Sequence, residues 1–261
     1  MMPLTKLFYE SDLTIVAYFV VLFFVSGFII FTLAFHPRMQ KAMKSLIGIN
    51  AGFYGPVTTM FTFTAAFSGA AVWGQFQKNV ESINAEGLAI NGYYETLLAT
   101  DLPAAPVLKR LAKEYVESAL SVEWKELSSA RISNETQGLF QEIERQTIAV
   151  ANKAETGSVI SGMLVRTLES WRTARATRLG FRFHAVEITR WYALIFFGIL
   201  SQFVVAITHI EQGRRAPKAA ALLIVSSLVL GVILTIALSV NPYEGLVRVP
   251  KAPIEALLSR M

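Results

Sequence analysis

The sequence contains no cysteine and only three histidines in 261 residues. The absence of cysteine excludes disulfides, thiol catalysis and thiolate metal sites. Charged residues make up only 16% of the chain, against 53% hydrophobic residues. This balance is too apolar for a soluble globular domain and is typical of a membrane protein. The net charge of +5 comes without a basic tail or a basic stripe with interleaved aromatic residues, so we expect no nucleic-acid partner.

Recognisable catalytic patterns are missing as well. No nucleophile elbow, phosphate-binding loop or dinucleotide-binding glycine pattern occurs. His184 and Glu187 have the spacing of two ligands on one helix face, but a single pair of this kind is more often an ordinary surface pair than a metal site. Glu142 and Glu144 are two positions apart and point to different helix faces. The sequence therefore predicts no enzyme, no metal site and no cofactor.

Four stretches are long and uncharged enough to cross a bilayer. They cover residues 13–35, 49–77, 191–208 and 219–240. At about 1.5 Å per residue, such lengths match a hydrocarbon core of about 30 Å. The first stretch follows Glu10 and Asp12 and precedes no cleavage site, so we interpret it as an uncleaved helix rather than a signal peptide. No ionisable side chain lies mid-span, which disfavours an ion-coupled transporter.

The residues between the second and third spans are polar, and their apolar positions recur at helical spacing. This pattern breaks at Pro103 and Pro106 and restarts over residues 107–129. A further helix begins near Asn134, which we expect to cap it. Residues 78–182 hold 13 basic and 13 acidic side chains, so the region is nearly neutral. The sequence predicts an all-α integral membrane protein with four transmembrane helices and a helical extramembrane insertion between the second and third. We divide the chain into a first transmembrane pair (1–77), the helical layer (78–187), a second transmembrane pair (188–240) and an extramembrane tail (241–261).

The second span differs from the others because it is dense in glycine, alanine, serine and threonine. At about 3.6 residues per turn, one side of this helix collects small and hydroxyl-bearing residues, with a tryptophan at its end. That side comprises Gly55, Thr58, Thr62, Ala66, Gly69 and Trp73. Small residues let helix backbones approach closely, and threonine hydroxyls can bond across helices or face water. Two interpretations remain open for this face: helix packing, or the lining of a conduction path.

One helix of the layer carries an arginine every three or four residues shortly before the third span. These are Arg172, Arg175, Arg178 and Arg182. The simpler interpretation is a solvated stripe that touches lipid headgroups or nearby acidic side chains such as Glu142 and Glu144. The functional interpretation is an anion-attracting vestibule, formed when several copies surround one axis.

The short loops predict the orientation in the membrane. The loop after the first span has three basic residues and no acid, and the loop after the third span has three basic residues and one acid. These residues are Arg38, Lys41 and Lys44, and then Arg214, Arg215, Lys218 and Glu211. The positive-inside rule places both loops in the cytoplasm and the helical layer outside.

Four stretches together resemble the bestrophin-like family of prokaryotic and plant membrane proteins. They are the second span from Asn50, Gly52 and Gly55 to its exit VWGQF (Val72, Trp73 and Phe76), the segment YYETLLATDLP with LKRLAKEYVESALSVEW (Leu111, Tyr115, Val116, Glu123 and Trp124), the arginine-bearing helix, and the tail NPYEGLVRVPKAPIEALL. In the tail, Asn241 stands where the family has Asp, and Tyr243 where it has Phe. The resemblance covers residues 50–258.

The resemblance implies a homo-oligomer, pentameric in bestrophins, that passes small anions through a pore lined by the second transmembrane helix. It also implies membrane lipid as a partner and a bacterial inner membrane as the location. The acidic calcium-clasp pattern of animal channels is not evident, so we expect no calcium gating. Besides a channel, two interpretations stay open: a non-conducting accessory subunit whose helical layer binds another membrane protein in a larger assembly, and a lipid-binding scaffold that uses the arginine stripe.

Overall fold

The computed structural model describes residues 4–36, 44, 50–153, 156–180, 188–210, 215–245 and 247–261. Every regular element in those ranges is a helix, which confirms the predicted all-α class for that part of the chain. In chain order the helices are α1 (Leu4–Leu7), α2 (Asp12–Phe35), α3 (Asn50–Leu98), α4 (Ala105–Ser118), a π-helical turn (Ala119–Glu123), α5 (Trp124–Ser128), α6 (Asn134–Ala151), α7 (Ser158–Gly180), α8 (Ile188–Thr208), α9 (Arg215–Ala237) and α10 (Ala252–Leu258).

The chain forms two compact units. The first unit comprises Met1–Trp73 and Ala185–Val240, and the second unit comprises Gly74–His184 and Asn241–Met261. Helix α3 contributes its first part to one unit and its second part to the other. Each unit has an apolar core of its own.

Helix ends follow local capping rules. Ser11 caps α2 and Ser133 caps α6, each side chain accepting a hydrogen bond from the backbone N–H three residues on, at 3.4 and 3.2 Å. The cap of α6 therefore lies one residue before the Asn134 that the sequence suggests. Pro106 lies in the first turn of α4, where its missing N–H removes no helical hydrogen bond.

In the first unit, α2, α8 and α9 pack against one another. Gly198 of α8 lies at the tightest contact, because a Cβ built there would be 2.8 Å from Cγ1 of Val229 and 2.9 Å from Cε1 of Phe23. The outward side of α2 is apolar too: Leu13 is 78% exposed and Phe28 is 67% exposed. Apolar side chains on all sides of a helix indicate a lipid environment.

Three helical segments of the described chain are long and apolar enough to span a membrane: Asp12–Ala34, Ile188–Thr208 and Arg215–Ala237. They correspond to the predicted first, third and fourth spans. The predicted second span lies in α3 and does not reach the same apolarity, since glycine, serine and threonine dilute it. The four-span topology therefore stays a prediction. Residues 37–43 and 211–214, on which the predicted orientation depends, lie outside the described residues.

The core of the second unit is built by α4, α6 and α7 together with buried residues of α3. Trp171 of α7 lies at its centre, fully buried. Its ring centroid is 5.4 Å from that of Tyr93, 4.9 Å from that of Tyr115 and 5.5 Å from that of Phe140. Such tilted and edge-on contacts are the favoured aromatic geometries and add to the burial of apolar area.

Residues 241–245 and 247–261 are a packed part of the second unit. The ring of Tyr243 lies edge-on against Trp124, with centroids 5.5 Å apart, and the ammonium of Lys251 is 5.5 Å from the same indole. Farther on, the chain approaches α3 at Gly87, where a Cβ would lie only 2.9 Å from the carbonyl oxygen of Pro253. Glycine at this position is what allows the two backbones to come so close.

Candidate functional site

The face of α3 that the sequence singles out as a pore lining is mostly uncovered in the first unit. Gly55, Thr58, Thr62, Ala66 and Trp73 are exposed, and Gly69 is half-buried. Among the described residues, a Cβ on Gly55 would meet nothing within 4 Å, whereas one on Gly69 would lie 3.8 Å from Cγ1 of Ile236. Helix α3 packs instead through Val57, Phe61 and Ala65, each at most 9% exposed. At about 100° per residue, this packing face lies about a quarter turn from the predicted pore face.

The threonine hydroxyls of the predicted pore face are bonded within their own helix. Thr58 donates to the carbonyl oxygen of Tyr54, and Thr62 donates to that of Thr58, both at 2.9 Å. Because each hydroxyl hydrogen is used in this way, the face presents oxygen lone pairs and methyl groups. Such a face is compatible with water or with a neighbouring helix, and assembly decides which of the two covers it.

A third face of α3 is bulky and apolar. Met60, Phe63 and Phe67 are 51%, 54% and 70% exposed, and the two phenylalanine rings stack with centroids 6.5 Å apart. Helix α3 thus presents a packing face, a small and hydroxyl-bearing face and an aromatic face. The aromatic face supplies a control for experiments on the small and hydroxyl-bearing face.

The predicted basic face of α7 is not an exposed stripe. Arg175 is 2% exposed and Arg178 is fully buried, so the prediction of exposed, anion-attracting charge is wrong for these two side chains. Arg172 keeps 54% of its side chain exposed and donates from Nε to Glu144 at 2.7 Å, an acidic partner that the sequence suggests. Arg182 lies outside the described residues. The vestibule role stays a prediction for Arg172 and Arg182.

Arg175 and Arg178 form a buried ionic cluster with Glu86 of α3 and Glu123 of the π-helical turn. Arg175 donates to both carboxylate oxygens of Glu123, from Nη2 at 2.7 Å and from Nη1 at 2.9 Å. Arg178 donates from Nη2 to Glu123 at 2.6 Å and pairs through Nε and Nη2 with Glu86. The hydroxyl of Tyr115 accepts from Arg175 at 2.6 Å and donates to Glu86 at 2.5 Å. Two cations balance two carboxylates, so the cluster is neutral.

Burial and charge act in opposite directions on the groups of this cluster. Burial alone would raise the pKa of the Glu123 carboxyl, but the adjacent Arg178 and Arg175 guanidinium groups lower it below 4.5. Burial likewise opposes the charge of Arg178, yet Glu86 and Glu123 raise the pKa of its guanidinium well above its ordinary value. Burial also raises the pKa of the Tyr115 hydroxyl, which therefore stays protonated and can donate. The arrangement supports fixed ion pairs rather than proton exchange near neutral pH.

The π-helical turn brings Glu123 and Trp124 to the interior. Buried positions of α4 fall at 111 and 112, then 115 and 116, then 118 and 119, and the next are 123 and 124. The last step is one residue longer than a helical turn requires, and a π turn absorbs one extra residue. In agreement, the N–H of Trp124 bonds the carbonyl of Ala119, five residues back. The extra residue cannot be detected from the spacing of apolar residues in the sequence. A regular α-helical spacing continues through Val122, which the structure shows to be only half-buried.

The first unit holds a second buried polar group that the sequence analysis does not single out, here called the glutamine network. Gln202 of α8 accepts from the hydroxyl of Ser26 at 2.7 Å and donates to the carbonyl of Phe23 at 2.9 Å and the hydroxyl of Ser226 at 2.8 Å. Three apolar helices are thereby joined by one uncharged amide. A lone glutamine inside an apolar span is the signal that identifies such a contact from sequence.

These features define the class: a protein that is helical throughout its described regular elements, with helices apolar enough to span a membrane. The chain matches the family model described as Bestrophin-like domain over residues 19–254. It therefore belongs to the bestrophin-like family, as the four resembling stretches indicate. No curated protein and no solved structure matches the chain.

Proposed function

We propose that this chain assembles into a ring of identical subunits that passes small anions along the small and hydroxyl-bearing face of α3. The observation that carries the proposal is the uncovered state of this face, which lies apart from the packing face of the same helix. Gly55 has open space where a Cβ would stand, and Thr58 and Thr62 are exposed. A face of this composition requires a partner or water, and a ring of copies around an axis supplies a water-filled path. Membership of the bestrophin-like family supports the same assignment.

The first test is the mass of the solubilised particle, with two-dimensional class images to find its symmetry. We expect a closed ring, and five copies in it if the subunit number is that of bestrophins. A monomer, a dimer or a single copy within a larger heteromeric assembly would overturn it. In that case the accessory-subunit interpretation would account for the uncovered face through a different protein.

The second test places bulk on the proposed path. Thr62→Trp is expected to abolish anion flux into liposomes while the particle keeps its mass, because the ring would fill the path. Phe67→Trp is the matched control: it lies on the same helix at an exposed position and on the aromatic face, so flux is expected to persist. Loss of assembly in Thr62→Trp, with Phe67→Trp intact, would identify the face as a packing surface and contradict the proposal.

We propose further that Lys44, between the first and second predicted spans, faces the cytoplasm of a bacterial inner membrane and that the second unit lies outside. The absence of cysteine makes this testable with single introduced thiols. A membrane-impermeant maleimide applied to intact spheroplasts is expected to label Lys153→Cys and to spare Lys44→Cys until the cells are lysed. The reverse pattern would invert the orientation and leave the ring proposal unaffected.

A further inference from the structure

Helix α3 is held in the second unit by contacts of two kinds. Ile83 and Ile90 are fully buried in the apolar core, but such contacts are non-directional and tolerate small rotations of a helix. Directional contacts are fewer. Asn79 accepts from the hydroxyl of Tyr243 at 3.2 Å, and the hydroxyls of Tyr93 and Thr147 are 2.5 Å apart. Each of these is a single bond between neutral groups.

A further directional contact of α3 is charged on both sides and made several times over, unlike the single 3.4 Å bonds that join Tyr94 to Met261 and Asn91 to Arg260. Of the four charged residues in α3, Glu86 alone is buried. It receives hydrogen bonds from two nitrogens of Arg178 and from the hydroxyl of Tyr115. Charge-assisted bonds are shorter and about twice as strong as neutral ones. Glu86 is therefore the strongest directional anchor of α3 in the described part of the second unit.

Among the described residues of one subunit, none packs against the opposite side of α3 in a way that would resist rotation. Ala85 is exposed and Leu88 is 74% exposed, and both line an open groove between α3 and α7. A carboxylate about 6 Å from a helix axis moves about 2 Å when the helix turns by about 20°. That displacement is enough to break hydrogen bonds, so the ionic cluster tolerates only a narrow range of rotations.

We propose that Glu86 and Arg178 are positioning residues for conduction: by fixing the rotation of α3 about its axis, they determine which side chains of that helix line the path. This inference rests on the proposed channel function and deepens it. The two residues touch no ion. They act through the helix to which the small and hydroxyl-bearing face belongs, since α3 is a single helix from Asn50 to Leu98.

The test replaces the Glu86–Arg178 pair without leaving a buried charge alone. The double variant Glu86→Leu/Arg178→Met removes one cation and one carboxylate, so Arg175 and Glu123 remain as a balanced pair, and apolar replacement of a buried ion pair is often compatible with folding. The matched control, Glu142→Leu/Arg145→Met, makes the same exchange at a surface pair within α6. Particle mass establishes which variants assemble.

Rotation is measured with single cysteines, which the cysteine-free sequence permits. Cysteines at positions 81–85 and 88–92 are labelled one at a time with a water-soluble maleimide, and the labelling rates are fitted to a helical period. In the original background, thiols at Ala85 and Leu88 are expected to label fast and those at Ile83 and Ile90 slowly. The inference expects the phase of this pattern to shift in Glu86→Leu/Arg178→Met and to stay unchanged in the control.

Anion flux and halide preference are then measured for the same particles in liposomes. A shifted phase together with reduced flux or altered halide preference supports the inference. An assembled particle with the original phase, or with a shifted phase and unaltered conduction, overturns the inference while leaving the proposed channel intact. If the unaltered protein carries no anion, the proposed function fails and this inference fails with it. If the double variant does not assemble, the conservative Glu86→Gln gives the deciding comparison by the same readouts.

Discussion

The two units contain buried polar groups of different chemical kinds. The first unit joins three apolar helices through one uncharged amide, Gln202, whose hydrogen bonds go to a carbonyl and two hydroxyls. The second unit joins α3, α7 and the π-helical turn through four charges, three of them fully buried on Glu86, Glu123 and Arg178. Both groups lie far from water, yet only one of them is ionic.

The difference follows from the cost of removing charge from water. An ion inside an apolar membrane unit has no nearby solvent and is costly to insert, whereas a neutral amide is satisfied by a few hydrogen bonds. In the second unit, oppositely charged partners from three elements offset the desolvation. A paired cluster of this kind depends on every member, because removal of one leaves another charge unpaired. We therefore expect the second unit to be the more sensitive to single polar substitutions and to pH.

The largest expected effect is that of Arg178→Ala. It leaves Glu86 and Glu123 buried with one cation between them, and breaking a buried pair costs about 3–5 kcal/mol. The thermal unfolding midpoint in detergent, followed by circular dichroism, should fall accordingly. Arg172→Ala is the control, since its exposed pair with Glu144 is worth about 1 kcal/mol or less. Equal losses in the two variants would show that burial of the cluster does not determine its contribution.

Gly198→Ala tests the packing of the first unit rather than its polar network. The new methyl group would meet Val229 and Phe23 at less than 3.0 Å, and overpacking of this kind costs about 1–3 kcal/mol. Gly231→Ala is the control, because a Cβ there meets nothing within 4 Å. The unfolding midpoint should fall for the first variant and stay or rise slightly for the second. A neutral Gly198→Ala would mean that α8 and its neighbours shift apart at little cost.

Gln202→Leu tests the uncharged network directly. It removes the bonds to α2 and α9, and such bonds between membrane helices are worth about 1–2 kcal/mol at most. Ser201→Ala, which removes a hydroxyl bonded within its own helix at 2.8 Å, should have a smaller effect on the same unfolding midpoint. If Gln202→Leu cost as much as Arg178→Ala, the contrast between the two units would disappear.

The smallest expected effect is a difference in pH dependence. The pKa of Glu123 is lower in the folded chain than its ordinary 4.5, so the unfolded state binds the proton more readily. The resulting stability is present above about pH 4.5 and is lost as the pH falls through the lower folded value. Unfolding midpoints measured from neutral to acid pH should therefore decline less steeply in Glu123→Gln than in the unaltered chain. Parallel curves would contradict a coupling of Glu123 to stability.

Much of the local structure follows from sequence patterns. Apolar stretches predict the helices that are long enough to span a membrane, prolines mark the break before α4, and the arginine spacing predicts a helix at α7. The pairing of Arg172 with a nearby acid is also predictable, because Glu144 lies on the preceding helix. In each case the signal lies within one helix or between consecutive helices.

Local sequence patterns could not predict the ionic cluster. Arg178 and Glu86 are 92 positions apart. The sequence around a charged residue in a helix does not indicate which distant charge it will pair with. Glu86 does follow the spacing of the buried Ile83 and Ile90, so its position on the apolar face was readable while its partner was not. The four arginines look alike in sequence, yet one is exposed and two are buried.

The sequence by itself determined the helical class, the apolar spans and the near-neutral charge of the region between them, because hydropathy and helical period are properties of local stretches. Only the tertiary structure decided which arginines lose contact with water and which face of α3 remains uncovered. Burial is a property of neighbours, and the neighbours of Arg178 and of Gly55 come from parts of the chain that no local pattern connects to them.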